Sequence, residues 1–120
     1  MVGSSTALSG DDHAFIIPFG SQLGPVWDLG TLGAYSSTAY SLNQYGQVVG
    51  TSLRYFGEDP QSRAFICRHG IAMQDLNDLV YNLGDWRLRS ATGISDEGYI
   101  CGWGYKGASS TPRAFVLSPY

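Results

Sequence analysis

The sequence predicts an all-β fold of β-propeller-like blades, each a four-stranded antiparallel sheet, with about two blades per chain. First, an Ala-Phe motif follows His13, Arg63 and Arg113, so it recurs every 50 residues, close to the length of a propeller blade. Second, the continuous apolar runs 14–17 and 64–67 are typical of short strands buried on both faces. Third, the chain has almost no helical periodicity. Together these observations indicate sheets that stack face to face.

Repetition also divides the chain into units. Asp28-Leu29 recurs as Asp75-Leu76, 47 positions later, whereas residues 39–43 (Ala-Tyr-Ser-Leu-Asn) align with residues 91–95 (Ala-Thr-Gly-Ile-Ser), 52 positions later. The second unit therefore carries a five-residue expansion in or near 82–87. Residues 1–5 resemble 48–52, which places the start of the chain inside a repeat. The prediction is one repeat domain, 1–120, with unit 1 at about 13–62, unit 2 at about 63–112, and partial units at 1–12 and 113–120.

Two tetrapeptides that end in glycine predict tight hairpins. Residues 43–46 (Asn-Gln-Tyr-Gly) and 95–98 (Ser-Asp-Glu-Gly) begin with a turn-forming side chain and lie between two strand-like segments. This pattern is typical of a type I turn closed by a left-handed glycine. Gly50 and Gly102 each follow an apolar run and predict a β-bulge or a close approach between backbones.

One helical turn is predicted inside the expansion of the second unit. Apolar residues recur at helical spacing between Met73 and Leu83, and Gly84 follows as the expected C-terminal cap. Elsewhere the glycine-rich sequence favours strands and turns.

Charge and hydropathy exclude two classes of partner. The chain has seven basic and ten acidic side chains, and Lys106 is its single lysine, so it cannot assemble a cationic stripe for nucleic acid. The longest aliphatic run, 14–17, is far shorter than the roughly 20 residues that cross a bilayer. Residues 1–5 have neither the basic start nor the apolar stretch of a secretory signal. We expect no nucleic-acid partner and no membrane span.

The cysteines and histidines predict neither a metal site nor a cofactor. Cys67 and Cys101 lie in apolar runs, which favours buried thiols over a disulfide or a reactive thiol. His13 and His69 have no ligand-spaced partner. The position of His13 is arginine in the other two copies of the motif, which favours a structural role over a catalytic base.

The number of blades predicts a partner chain. A closed propeller typically takes four or more blades, and this chain holds about two. Edges and apolar sheet faces left open would promote aggregation. Symmetric self-association covers them, so we expect a homo-oligomer.

Several segments of the sequence resemble the repeat of a known family. His13-Ala-Phe, the segment 28–33 (Asp-Leu-Gly-Thr-Leu-Gly), and residues 39–43 continuing into 46–50 (Gly-Gln-Val-Val-Gly) are similar to the HAF repeat of bacterial, often extracellular proteins. The unit from Gln74 to Leu117 resembles the closing repeat, so the chain resembles the C-terminal two repeats of such a protein. The resemblance implies a propeller-like fold and an extracellular location. It carries no catalytic residues.

Carboxylate pairs are the first candidates for chemistry, because glycan hydrolases commonly use two. Asp11 and Asp12 are adjacent, so on a strand they point to opposite faces, and solvated loop positions are favoured. Asp75 with Asp78 forms the second pair. Asp75 corresponds to Asp28, 47 residues earlier, which favours a repeated structural role such as an Asx-type hydrogen bond to a turn.

Aromatic side chains are the stronger candidates for binding. Trp86 lies in the expansion of the second unit, and Trp103 with Tyr105 lies where a strand enters a loop. Exposed Trp and Tyr faces suit stacking on sugars or packing on a partner protein. The competing interpretation is that Trp27, Trp86 and Trp103 fill gaps between stacked sheets.

Two function classes and one further possibility follow. The first is a non-enzymatic repeat module that self-assembles and binds a carbohydrate or protein ligand through Trp86, Trp103 and Tyr105, with no cofactor. The second is a small glycan hydrolase that uses Asp11, Asp12 or Asp75 as acid and base. A fragment that keeps the fold without independent activity also fits the sequence.

Overall fold

The computed structural model describes residues 2–6, 12–16, 27–56, 59–68 and 71–119. Ten strands and one short helix make up this part of the chain. They are β1 Val2–Thr6, β2 Asp12–Ile16, β3 Trp27–Gly30, β4 Ser37–Leu42, β5 Val48–Phe56, β6 Asp59–Arg68, β7 Ile71–Asp75, α1 Leu76–Leu79, β8 Trp86–Ile94, β9 Ile100–Lys106 and β10 Arg113–Leu117.

The strands form three antiparallel sheets, and the predicted all-β class is confirmed. The first sheet has the order β1-β2-β3, the middle sheet β4-β5-β6-β7, and the last sheet β10-β9-β8. The middle sheet is the four-stranded unit that the repeat predicts. The unit boundary at 62/63 lies inside β6, because counting from the Ala-Phe motif does not indicate where a sheet starts.

The repeat is visible in the strand register. In each sheet a glycine stands opposite the phenylalanine of the Ala-Phe motif. The three pairs are Gly3–Phe15, Gly50–Phe65 and Gly102–Phe115. The three sheets are therefore copies of one design.

The close approach predicted at Gly50 and Gly102 is confirmed. A Cβ atom on Gly50 would overlap the Thr38 carbonyl oxygen, and one on Gly102 would overlap the Ser90 carbonyl oxygen. Both glycines lie beside a β-bulge in the preceding strand. Only glycine leaves room for the bulged backbone at this point.

The two predicted hairpins are also confirmed, and they lie side by side. The Gly46 N–H donates to the Asn43 carbonyl, and the Gly98 N–H donates to the Ser95 carbonyl, each over 3.1 Å. Gly46 and Gly98 have φ values of 78° and 96°. The Asn43 amide donates to the Ser95 carbonyl oxygen over 3.2 Å, so equivalent turns stack along one rim.

Two apolar layers separate the three sheets. Val48 and Phe65, both fully buried, belong to the layer beside the first sheet, whereas Val49 and Ala64 pack with residues of the last sheet. The central strands β5 and β6 are thus buried on both faces, as their continuous apolar runs predict. Ser37 also connects the first and middle sheets, since its hydroxyl accepts from the Ala14 N–H over 2.7 Å.

The one predicted helical turn is present as α1, but it lies before the expansion at 82–87 and not inside it. Residues 71–75 pair with β6 as β7, and α1 spans four residues because Asp75 caps its N-terminus. The predicted cap, Gly84, lies beyond the end of α1, where Val80 is the C-terminal cap. Gly84 instead has φ 63° in the turn that leads into β8.

Candidate functional site

The candidate site is the face of the last sheet that points away from the middle sheet, which we call the open face. Ile100 and Phe115 point into the core. Side chains alternate along a strand, so Cys101 and Trp103 on β9, and Val116 on β10, point the opposite way. Cys101 is exposed, Trp103 is 38% exposed and Val116 is 71% exposed.

Two of the predicted aromatic residues meet on this face. Trp103 and Tyr105 are two positions apart on β9, and their rings pack edge to face with centroids 5.9 Å apart and an interplanar angle of 82°. Such a pair presents a partly exposed indole beside a phenol. The pair can stack on a flat ligand or anchor a partner surface.

Two arginines flank Tyr105. The guanidinium carbons of Arg87 and Arg89 lie 5.4 and 5.5 Å from the Tyr105 ring centroid, within cation–π range. Arg87 Nη2 is held by the carbonyl oxygens of Gly107 and Ser109, at 2.8 and 3.0 Å. Arg89 Nη1 donates to the Ser62 carbonyl oxygen of β6 over 3.2 Å, so Arg89 reaches toward the middle sheet, whereas Arg87 is held within the last sheet. Both cationic groups are therefore fixed in place before any ligand arrives.

This arginine pair carries positive charge that the surrounding structure does not neutralise. Among the described residues, neither arginine has a carboxylate partner, and the Nε atoms of both are buried without an acceptor. Burial, and then the charges of Arg87 and Arg63, lower the pKa of Arg89. An anionic group placed here would reduce this repulsion.

Trp86, the third predicted binding residue, lies on the other side of the sheet. It is opposite Lys106 in the register, one position before Arg87, and it is half-buried against the core between the middle and last sheets. This position is the gap-filling one that the competing interpretation describes. The structure therefore brings Trp103 and Tyr105 together and separates Trp86 from them.

Asp75 is enclosed by donors from its own chain. Its Oδ2 accepts from Arg54 Nη1 at 2.9 Å and lies 3.0 Å from Arg63 Nε. Its Oδ1 accepts from the backbone N–H and the side-chain amide of Asn77, at 2.9 and 2.8 Å. The predicted Asx-type bond is thus present at Asp75. Three hydrogen bonds and the ion pair with Arg63 engage both oxygens of this carboxylate within the chain.

The other predicted carboxylates do not join Asp75 in one described catalytic pair. Asp78 shares Arg54 with Asp75 at the mouth of a cleft of about 410 Å³, and it is largely exposed. The hydrogen bonds that Arg54 donates to the two carboxylates, the one to Asp78 first, raise the pKa of Arg54. Asp11 lies outside the described residues, as do the side chains of Asp12 and Asp28. Asp28 stands opposite Phe15 as Asp75 stands opposite Phe65.

The two thiols differ, which corrects one prediction. Cys67 is buried as predicted, and burial raises its pKa to about 12. Cys101 is exposed, because no described element covers the open face, whereas its equivalent Val49 lies beneath the last sheet. Both are free cysteines. No cluster of three metal-ligating side chains occurs in the described part, and His69 lies outside it.

Sequence reasoning missed the arginines of both clusters. The sequence pattern does not single out Arg87 and Arg89, although two arginines this close together in a chain with seven basic residues are a signal of local positive charge. The pairing of Arg63 with Asp75 also had a signal. Each belongs to a repeated motif, and the two motifs occupy neighbouring strands.

Within the part of the chain that the structure describes, no helix is long and apolar enough to span a membrane. The comparisons with known proteins found no matching family model, no matching curated protein and no matching solved structure. The resemblance to the HAF repeat therefore stays a prediction.

Proposed function

We propose that this chain is a non-enzymatic repeat module that associates with further copies of itself through the open face of the last sheet. The association extends or closes the stack of propeller-like sheets and yields a homo-oligomer. The open face is the docking surface, and Trp103 is its central anchor. Aromatic residues and arginine are the side chains that most often dominate such interfaces.

One observation supports this proposal above the others. The residues of the open face are the repeat equivalents of residues that are covered in the middle sheet. Ala64 is fully buried and Ile66 is partly buried against the last sheet. Their equivalents 50 positions later, Ala114 and Val116, are exposed. The same design that covers one face of the middle sheet leaves this face open.

The test is the mass in solution, measured by sedimentation velocity over a range of protein concentrations. We expect a mass of at least two chains, and we expect Val116→Lys to give the monomer, because it places a charge in the apolar contact. Ile71→Lys is the matched control, since Ile71 is 55% exposed on β7, away from the open face. A wild-type chain that is a monomer at every concentration would exclude self-association.

A second candidate function is favoured by the arginine pair. Trp103 and Tyr105 offer a platform for a sugar ring, and Arg87 and Arg89 provide two cations without a carboxylate partner among the described residues. This combination suits a carbohydrate that carries carboxylate groups. It competes with self-association at Trp103 and Tyr105, which both occupants need, whereas Arg89 reaches toward the middle sheet.

Titration with polygalacturonate separates the two candidates. If the face binds acidic glycans, the polymer binds and neutral dextran does not, and binding weakens with salt because it depends on charge. Trp103→Ala should reduce that affinity by about tenfold, the scale of one lost aromatic contact. Absence of binding to polygalacturonate at low salt would remove this candidate and leave self-association untouched.

A further inference from the structure

Among the described residues, no strand lies along the outer edge of β10, whereas the other two sheets have a strand at the equivalent edge. In the middle sheet, β7 pairs with β6 and completes the order β4-β5-β6-β7, and in the first sheet β3 pairs with β2 in the same way. In the last sheet β10 is the equivalent of β6 and pairs only with β9 among the described residues. The outward N–H and C=O groups of β10 are thus available for strand addition.

The two strands that fill this position share a sequence pattern. Residues 26–29 are Val-Trp-Asp-Leu and residues 73–76 are Met-Gln-Asp-Leu, so both read apolar-x-Asp-Leu. In both sheets the aspartate stands opposite the phenylalanine of the Ala-Phe motif. The equivalent position on β10 is Phe115, which is paired with Gly102 of β9 on one side and faces no described strand on its other side.

The positive charge of Arg113 on β10 complements the aspartate of this pattern. In the middle sheet, Arg63 Nε lies 3.0 Å from Asp75 Oδ2, and the carboxylate is almost fully buried. Arg113 is the equivalent of Arg63 and holds the same register position, opposite Gly104 as Arg63 is opposite Ser52. Arg113 is exposed and forms no ion pair with any described residue. Arg113 is therefore in position to form the same ion pair with an aspartate on an added strand.

The space beside β10 can accommodate the apolar residue of an added strand. A groove of about 380 Å³ runs along residues 114–117, and Leu83, Trp86 and Leu88 supply apolar walls. In the middle sheet, the residue two positions before the aspartate, Met73, packs on the apolar layer beside the first sheet. Because side chains alternate, the equivalent residue of an added strand would enter this groove.

We infer that the free edge of β10 binds an extended peptide segment of the pattern apolar-x-Asp-Leu by strand addition. The aspartate pairs with Arg113, and the apolar residue two positions before it fills the groove beside Trp86. This inference concerns the edge of the last sheet and holds whether or not the open face self-associates.

The probe is a fluorescein-labelled peptide with the sequence of residues 71–77, Ile-Ala-Met-Gln-Asp-Leu-Asn, titrated with the full chain and followed by fluorescence anisotropy. We expect saturable binding that weakens about tenfold or more when the aspartate of the peptide is replaced by asparagine. Arg113→Gln should bind both peptides equally weakly. Arg68→Gln, which removes an exposed arginine of β6, is the matched control and should behave like the wild type.

Amide hydrogen exchange supplies the readout that distinguishes strand addition from simple charge attraction. We expect the bound peptide to slow exchange in residues 113–117 at least tenfold and to leave residues 71–75 unchanged, because new backbone hydrogen bonds form only at the free edge. The inference would be overturned by no binding, by equal binding of the two peptides to the wild type, or by binding without protection at 113–117. Protection of 113–117 before peptide is added would show that another copy occupies the edge, and would also overturn it.

Discussion

At the scale of single residues, the burial of each cysteine shows whether another sheet covers its face of the strand. Cys67 belongs to the buried layer between the first and middle sheets, and Cys101 belongs to the open face. The burial of Cys67 opposes ionisation of its thiol and raises its pKa from 9.0 to about 12. Both cysteines lie in similar apolar runs, so local sequence does not distinguish them. The presence of a covering sheet over Cys67, and not over Cys101, distinguishes them.

The raised pKa of Cys67 predicts a loss of stability at high pH. In the unfolded chain the thiol ionises near pH 9.0, whereas in the folded chain it stays protonated up to about pH 12. The contribution of the protonated Cys67 thiol to the free energy of unfolding is therefore fully present below pH 9. It falls as the pH rises from 9 to about 12, by at most about 4 kcal/mol. Urea unfolding at pH 8, 9, 10 and 11 measures it. Cys67→Ala should lose less stability over this range than the wild type, and parallel curves would contradict the assignment.

At the scale of elements, one side chain ties the middle sheet to the last sheet. The Asn77 amide donates to the Leu88 carbonyl over 2.9 Å and accepts from the Leu88 N–H over 2.7 Å. Asp75 orients this amide and caps α1 at the same time. A four-residue helix is too short to be stable alone. It persists because this polar cluster holds its first turn.

Asn77→Ala should therefore be strongly destabilising. It leaves two backbone groups of the buried Leu88 without partners, which costs about 2–3 kcal/mol. Asp78→Asn is the control, because it removes an ion pair between exposed or half-exposed groups, worth about 1 kcal/mol or less. Denaturant titration gives both free energies of unfolding. Equal effects of the two substitutions would show that Asn77 does not link the sheets.

Elements whose cause is local could be predicted from the sequence. The hairpins at 43–46 and 95–98 follow from their turn residues, and the crowded Gly50 and Gly102 follow from their place in the repeat. The position of α1 could not be predicted from its apolar spacing, because residues 71–75 pair with β6 as β7. The split of Trp86 from Trp103 and Tyr105 depends on strand register, which the sequence pattern did not reveal.

At the scale of the whole molecule, the repeat explains why the middle sheet is stable and why the open face of the last sheet is exposed. The middle sheet is covered on both faces, and the last sheet repeats its design with Cys101 and Val116 exposed. Low charge and high glycine content follow from stacked sheets joined by tight turns. The same composition leaves an apolar face wherever the stack ends, and our proposal is that a second copy covers it.

The most direct measurement is the rate at which Cys101 reacts with a maleimide as the protein concentration rises, with buried Cys67 as the internal control. If copies associate through the open face, Cys101 reacts rapidly in dilute solution and at least about tenfold more slowly once the protein is mostly associated. Val116→Lys should keep the fast rate at every concentration. A wild-type rate that does not change with concentration would contradict self-association through this face.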